Sequence, residues 1–407
     1  MSTSRPPILF YCQHLLGLGH AHRAAALTRA LVKAGERVLF VAGGPPVPGL
    51  DLGDAESIGL PPLVAADAAA SRLALPDGTP PPAAYLADRR ARLLALLAHR
   101  DPACVLLELF PFGRHALATE LAPLLLAVGD DRRRRDSAAP RVAVSLRDVV
   151  VSKANAAWYE LAVLAVVCQS VDRVLVHGSP DVIPLDRTFG LADRLGARLI
   201  YTGYVGADSA PPGPGAPSGE VVVSGGGGRV AGQLFQTALA ARRLCPAAAA
   251  RPWRLLTGPY LPPAERAALD AEAAGLPAVA GQPAVTVETF RDDFASVLRG
   301  AALSVSQAGY NTVLDVVRSG VRAVVVPYEG SGDEQPLRAR LLAARGLLVV
   351  VEERALTPAG LAAAMETALT RPDFPAPATL DLDGATRSAT IVASLVDGVV
   401  AARETPP

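Results

Sequence analysis

Short apolar runs alternate with helix-period segments from one end of the 407-residue chain to the other, and this alternation leaves few folds open. A strand followed by a helix and then another strand closes most readily as a parallel pair with a right-handed crossover. Residues 8–12, 37–42, 104–107, 142–146, 174–176 and 199–201 read as a first set of strands. Helices are expected at 21–34, where Gly35 stops the run, and at 85–99. Residues 43–82 are rich in Pro, Gly and Ala and hold only short strand candidates.

The pattern then breaks. Residues 206–219, GADSAPPGPGAPSG, carry no apolar period and read as a linker. Beyond it the alternation restarts at 220–224, continues with a helix near 230–244, and runs through strands at 254–257, 284–287, 303–305, 323–326 and 348–351. The expected organisation is an α/β chain of two doubly wound, Rossmann-like domains, 1–205 and 220–385. A last apolar helix, 386–403, is expected to pack back on the first domain.

Composition narrows the function classes. Half the residues are hydrophobic and 19% are charged, which suits buried parallel sheets rather than disorder. Lys plus Arg and Asp plus Glu both count 39, so no global field attracts nucleic acid. Cys12, Cys104, Cys168 and Cys245 form no CxxC pair, which argues against a zinc site or a disulfide framework and for a reducing cytoplasm. No signal peptide is visible, and no uninterrupted apolar run reaches the eighteen or so residues that span a bilayer. A peripheral membrane contact stays open through the apolar helices near 116–128 and 161–168. DDRRRRD at 130–136 reads as a solvated loop between helix and strand.

The chemistry concentrates in 306–342, SQAGYNTVLDVVRSGVRAVVVPYEGSGDEQPLRARLL. A strand end and turn, Gln307, Ala308, Gly309 and Tyr310, lead into a helix that opens with Asn311 and Thr312. Asn311 and Thr312 are suited to capping it. The N–H groups and partial positive charge of such an N-terminus can hold a phosphate. Asp315 follows about one turn later, where a carboxylate can accept from a ribose diol. The next strand ends at Pro327 and delivers a polar loop, Glu329 to Gln335 with Gly330 inside it, to the same sheet edge. A nucleotide-sugar site is the reading these parts support.

Two Gly-rich loops belong with it. Gly225, Gly226, Gly227 and Gly228 follow a buried strand and precede a helix, so their backbone can wrap phosphate oxygens, with Arg229 adding charge. GLGHAHR at 17–23 joins the first strand to the first helix. The dinucleotide pattern GxGxxG fails there: Gly17 and Gly19 lack a third glycine, and the second strand runs into Gly43 and Gly44 without an acidic residue. No DxD-like pair and no His/Cys cluster has metal-ligand spacing, so no metal and no resident cofactor are expected. A leaving diphosphate would then rest on helix dipole and loop amides.

Seven pieces in order carry a family resemblance: GLGHAHR at 17–23, LRD at 146–148, VLVHGSPDV at 174–182, YTGYV at 201–205, SGGGG at 224–228, TFRDDF at 289–294 and the 306–342 block. Together they resemble the inverting GT-B glycosyltransferases, in particular the family that adds N-acetylglucosamine to the lipid-linked muramyl precursor of peptidoglycan, and a related bacterial family of predicted transferases. The resemblance implies two domains facing a cleft, a UDP- or TDP-sugar donor on the second, and an acceptor on the first: a small molecule, a glycan or a lipid-linked compound. It also implies that the backbone at Phe290 and Arg291 recognises the base and that Glu334 and Gln335 face the donor sugar. Arg291 replaces an aliphatic residue of the best-known relative, and Asp315 replaces its glutamate.

A histidine titrates near neutral pH, so His20 is the candidate general base and matches the family's loop histidine. His14 is a rival base, and His22 reads as structural. Glu108, Arg114 and Arg147 follow first-domain strands on the acceptor side; internal salt bridges are the other reading for them. Two alternatives to transfer stay open: a nucleotide-sugar epimerase of the same fold, and a non-catalytic nucleotide-sugar-binding protein.

Overall fold

A computed structural model of the chain describes residues 5–15, 18–67, 70–151, 155–206, 218–279, 281, 284–291, 293–330, 332–372 and 380–404. Gly17 and most of the expected linker lie outside them. The chain divides into two compact units, Met1–Gly206 with Asp381–Pro407, and Ala207–Leu380.

The first unit holds strands β1 (Ile8–Cys12), β2 (Val38–Ala42), β3 (Glu56–Gly59), a small pair β4 (Val64–Ala65) and β5 (Leu73–Ala74), then β6 (Cys104–Glu108), β7 (Arg141–Arg147), β8 (Arg173–His177) and β9 (Leu199–Tyr201). Helices α1 (Gly19–Lys33), α2 (Ala83–Arg100), α3 (Ala118–Arg135) and α4 (Ala156–Ser170) connect them. The main sheet runs β3-β2-β1-β6-β7-β8-β9, all parallel. Side chains alternate across it, as period two demands. Ile8, Phe10 and Cys12 pack with Ala24, Leu27 and Leu31 of α1 on one face. Leu9 and Tyr11 pack on the other, with Leu93 of α2, Leu121 of α3 and Val163 of α4.

The second unit carries β10 (Val221–Ser224), β11 (Trp253–Leu256), β12 (Val285–Glu288), β13 (Leu303–Ser306), β14 (Ala323–Val325) and β15 (Val349–Val350). Its helices are α5 (Gly232–Arg242), α6 (Pro246–Ala249), α7 (Pro263–Ala274), α8 (Phe294–Gly300), α9 (Tyr310–Ser319), α10 (Glu334–Ala344) and α11 (Pro358–Thr370). The sheet runs β12-β11-β10-β13-β14-β15, again all parallel. Val221 and Val223 bury against Phe235 of α5 and Leu361 and Met365 of α11. In each sheet the strand order reverses beside the first strand, at β1/β6 and at β10/β13. Such a reversal opens a crevice at the C-terminal strand ends, where ligands of doubly wound folds bind.

The last helix, α12 (Gly384–Glu404), is long and apolar enough by length and composition to cross a membrane. Ala389, Val392, Val396 and Val399 instead pack into the first unit's core beside Leu27 and Leu31, and α12 lies along α1. Arg403 fastens its end to the Asp101 carboxylate at 3.1 Å.

Two local expectations are corrected. DDRRRRD is not a loop: it forms the last turns of α3. Arg134 donates to Asp131 at 2.6 Å and Arg133 pairs with Asp130, both i,i+3 contacts. Four arginines also end the helix where its dipole favours cations. Asn311 and Thr312 do not cap α9: the N-cap is Gly309, extended at φ −62° and ψ 145°, with no side-chain acceptor.

Candidate functional site

Reversal at β1/β6 places the loop after β1 next to the end of β6. Helix α1 begins at Gly19, so His20 lies in its first turn. Its Nδ1 is 2.5 Å from Glu108 Oε1, although the two residues are 88 positions apart. Arg23, one turn further along α1, donates to the same oxygen at 2.5 Å. Arg114 approaches the other carboxylate oxygen at 4.0 Å from a left-handed backbone, φ 61°. Glu108 is fully buried. Burial alone would raise its pKa, but His20, Arg23 and Arg114 outweigh that and hold it well below the usual carboxylate range.

The Arg23 Nη2 donor also lies 3.0 Å from His20 Nδ1, but the ionised Glu108, closer at 2.5 Å, favours the tautomer protonated there. The carboxylate accepts from Nδ1–H, which leaves the lone pair on Nε2. Burial pushes the His20 pKa down to about 3; Glu108 opposes this, and Arg114 and Arg147 add to it. The imidazole is therefore neutral at physiological pH, and its side chain stays 16% exposed. Arg147 closes β7 opposite His177, with Asp148 fully buried behind it.

A buried network supports the loop. Arg89 binds both oxygens of Glu120, at 2.9 and 2.8 Å, and reaches Gln13 Oε1 at 3.2 Å. Gln13 Nε2 in turn donates to the carbonyls of His14 and Leu63, at 2.8 and 2.9 Å. His14 rests against Gly44. Burial, and then Arg114 and His22, lower its pKa. His22 is lowered by burial and by Arg29. Among the described residues, neither makes a carboxylate contact like that of His20.

The crevice at β10/β13 gathers the second cluster. Gly225–Gly228 leave β10, and Gly228, at φ +90°, sits where a Cβ would strike the Thr257 carbonyl. Arg229 lies over the Tyr260 ring, 5.8 Å from its centroid. Across the reversal, Gln307 Nε2 donates to Val230 O at 3.3 Å and ties the two loops together. Ala308 is buried, and its carbonyl accepts from Arg338 at 3.1 Å. The Arg338 guanidinium also stands 5.4 Å from the Tyr310 ring centroid. The N-terminus of α9 is thereby held at the C-terminal edge of the sheet.

Asp315 lies one turn into α9. Burial raises its pKa to about 7, with Arg318 opposing. Glu334 and Gln335 already have protein partners: Glu334 Oε1 accepts from Arg338 at 3.0 Å, and Gln335 Oε1 accepts from the Tyr328 N–H at 3.0 Å. Gly330 packs on the Tyr328 ring. Arg291 forks onto Asp293 with two 2.7 Å bonds, beside a Phe290 side chain that is 61% exposed. Among the described residues no three His, Cys, Asp or Glu side chains gather as a metal site. The sequence does not single out Arg23, Arg338 and Gln13; a charged residue at helical spacing from a site residue, Arg23 from His20 and Arg338 from Glu334, is the signal that finds the first two.

Residues 254–390 match the glycosyltransferase family 28 C-terminal domain. A curated relative from Syntrophotalea carbinolica, a UDP-N-acetylglucosamine–N-acetylmuramyl-(pentapeptide) pyrophosphoryl-undecaprenol N-acetylglucosamine transferase, is 36% identical over 84 residues. That alignment covers 20% of this chain and 24% of the relative. Two solved structures align along nearly the full length. The calicheamicin glycosyltransferase CalG4 has a TM-score of 0.56 at 18% identity, covering 98% of this chain and 95% of that one. The spinosyn rhamnosyltransferase SpnG, complexed with thymidine diphosphate, has a TM-score of 0.56 at 17% identity, covering 97% and 96%.

The chain has the GT-B fold. Its two parallel sheets are the two Rossmann-like halves of that fold. The family 28 match begins at β11 and ends within α12, so it takes in the loops at Thr289–Arg291, Gln307–Tyr310 and Glu329–Gln335.

Proposed function

We propose that this GT-B protein is an inverting glycosyltransferase that moves a sugar from a nucleoside-diphosphate sugar to an acceptor nucleophile without a metal ion. The observation that carries the reading is the His20–Glu108 contact. A neutral imidazole with Nδ1 on a buried carboxylate presents Nε2 as a base, and the carboxylate stabilises the imidazolium that forms when the acceptor hydroxyl gives up its proton. The oxygen so activated attacks the anomeric carbon while the nucleoside diphosphate leaves from the opposite face.

In the second unit, Asp315 would take the ribose diol. The Gly225–Gly228 amides, the N-terminus of α9 and Arg229 would take the diphosphate charge as it develops. UDP- and TDP-sugars, after the nucleotides named for these similar proteins, are the donors we propose. Glu334 would act through Arg338, which holds the loop that contacts the diphosphate. Mass spectrometry of the full chain with UDP- and TDP-sugars and candidate acceptors tests the proposal. Transfer adds a sugar mass to a third compound. A donor that changes stereochemistry at constant mass would establish the epimerase instead, and a mixture left unchanged would establish a binder.

A lipid-contacting, cytoplasmic location is proposed on a separate observation. Trp158 and Leu161 of α4 are 68% and 60% exposed, and Leu126 of the neighbouring α3 is 61% exposed. Arg133 and Arg134, both 72% exposed, end α3. An exposed apolar face of this kind suits a bilayer interface. Flotation with phosphatidylglycerol vesicles should carry the wild type and leave Trp158→Glu behind; equal flotation of both removes this surface from the proposal.

A further inference from the structure

The second unit has a cavity at the sheet edge opposite the α9 N-terminus. Its volume is about 310 Å³. Arg251, Arg299 and Arg322 line it together with Ser319, and no carboxylate lines it among the described residues. The three arginines come from separate places in the chain: before β11, at the end of α8, and before β14. Strand β13 separates this edge from the Gln307–Tyr310 loop, a rise of roughly 13 Å over four residues.

The charge arrangement sets this cavity apart. Four arginines elsewhere in the unit sit on carboxylates: Arg254 on Glu220 at 3.1 Å, Arg266 on Asp270 at 3.0 Å, Arg291 on Asp293 at 2.7 Å and Arg338 on Glu334 at 3.0 Å. Arg251 and Arg299 have no carboxylate partner among the described residues. Each of the three donates to a neutral group. Arg251 donates to Gly219 O at 3.0 Å, Arg299 to Ser296 Oγ at 2.6 Å, and Arg322 to Ala368 O at 2.9 Å. A guanidinium carries five N–H donors in a planar fork, and the buried Nε atoms of Arg251 and Arg299 have no hydrogen-bond partner among the described residues. Fixing each side chain in advance also removes most of the ordering cost of binding a ligand there.

We propose that this cavity is a second anion site, one that takes a phosphate group, either as a free ion or as a phosphoryl group on a metabolite. Planar arginine forks converging without a competing carboxylate match a tetrahedral oxyanion. Its place at the N-terminal strand ends separates it from the loops proposed to bind the donor.

The test is isothermal titration of the full chain with inorganic phosphate and with inorganic diphosphate, at constant ionic strength, after saturation with UDP or TDP. The expected result is one saturable site per chain with a Kd of about 1 mM or tighter. Arg299→Gln should weaken it at least ~10-fold, and Arg299→Lys, which keeps the charge but loses the fork, should weaken it less. A thermal melt of each variant confirms that it folds. No saturable heat, or binding unchanged in Arg299→Gln, overturns the proposal. Nucleotide binding can fail while phosphate binding persists; that result would sink the donor reading and leave this one standing.

Discussion

His20 Nδ1 and Glu108 Oε1 stand 2.5 Å apart at the point where the first sheet reverses its strand order. The contact joins the first turn of α1 to the last residue of β6. It couples a neutral imidazole to a carboxylate that two arginines keep ionised. A carboxylate in that position orients the ring and stabilises its protonated form, which offsets part of the burial that lowers the ring's pKa and assists a base in an acceptor-activating step.

The first prediction follows from that geometry. General-base assistance contributes about 10²–10⁴-fold, so His20→Ala should lower the transfer rate by about that factor. Nucleotide-diphosphate affinity should be nearly unchanged, because His20 and Asp315 belong to different compact units. Steady-state rates and calorimetric titration on the same preparations check both halves. If His14→Ala loses the activity and His20→Ala keeps it, the base is His14.

Glu108→Gln should cost stability as well as rate. It leaves Arg23, whose side chain is 1% exposed, beside a neutral amide. Removing one partner of a buried pair typically costs about 3–5 kcal/mol. Chemical denaturation should show the loss, and the double variant Glu108→Gln with Arg23→Met should recover part of it. A denaturation midpoint identical to wild type would mean that Glu108 does not carry the charge of this cluster.

Sequence periodicity made the two parallel sheets legible, because each strand is an apolar run bounded by a helix pattern. The pairing of His20 with Glu108 was not legible. Each was a candidate alone, but only the reversal between β1 and β6 brings residues 88 positions apart into contact. The end of α3 was misread because a charged run looks like solvated loop; its i,i+3 ion pairs become visible only once the helix is known to continue. Capping preference points to Asn311 and Thr312, whereas the extended backbone of Gly309, two residues before Asn311, turns the chain into α9. The raised pKa of Asp315 depends on burial, which a single sequence does not encode at one position.

Metal independence is the third prediction, motivated by the absence of an acidic ligand pair in the sequence and by Arg229 beside the Gly225–Gly228 loop. Turnover should survive EDTA. Loss on chelation with full recovery on Mg²⁺ or Mn²⁺ would show that a cation, rather than Arg229 and the backbone amides, balances the leaving diphosphate.

Asp315 gives the last prediction, in which stability and binding move in opposite directions. Its folded pKa is raised from 3.8 to about 7, so between those values the folded chain binds more protons than the unfolded one. Stability from this group is therefore full below about pH 4 and falls as pH rises toward 7. Asp315→Asn removes that loss and should stabilise the protein by roughly 1–3 kcal/mol at pH 8, with the difference vanishing near pH 4. The same substitution should weaken UDP or TDP binding at pH 8 by roughly 1.5–3 kcal/mol, since charge-assisted hydrogen bonds to the ribose diol are lost. Protonation does the same to the wild type, so its nucleotide Kd should rise as pH falls from 8 to 6, while that of Asp315→Asn stays flat. Thermal melts and titrations across this range check the prediction. An affinity equal to wild type at pH 8 in the stabilised variant would remove Asp315 from the donor site.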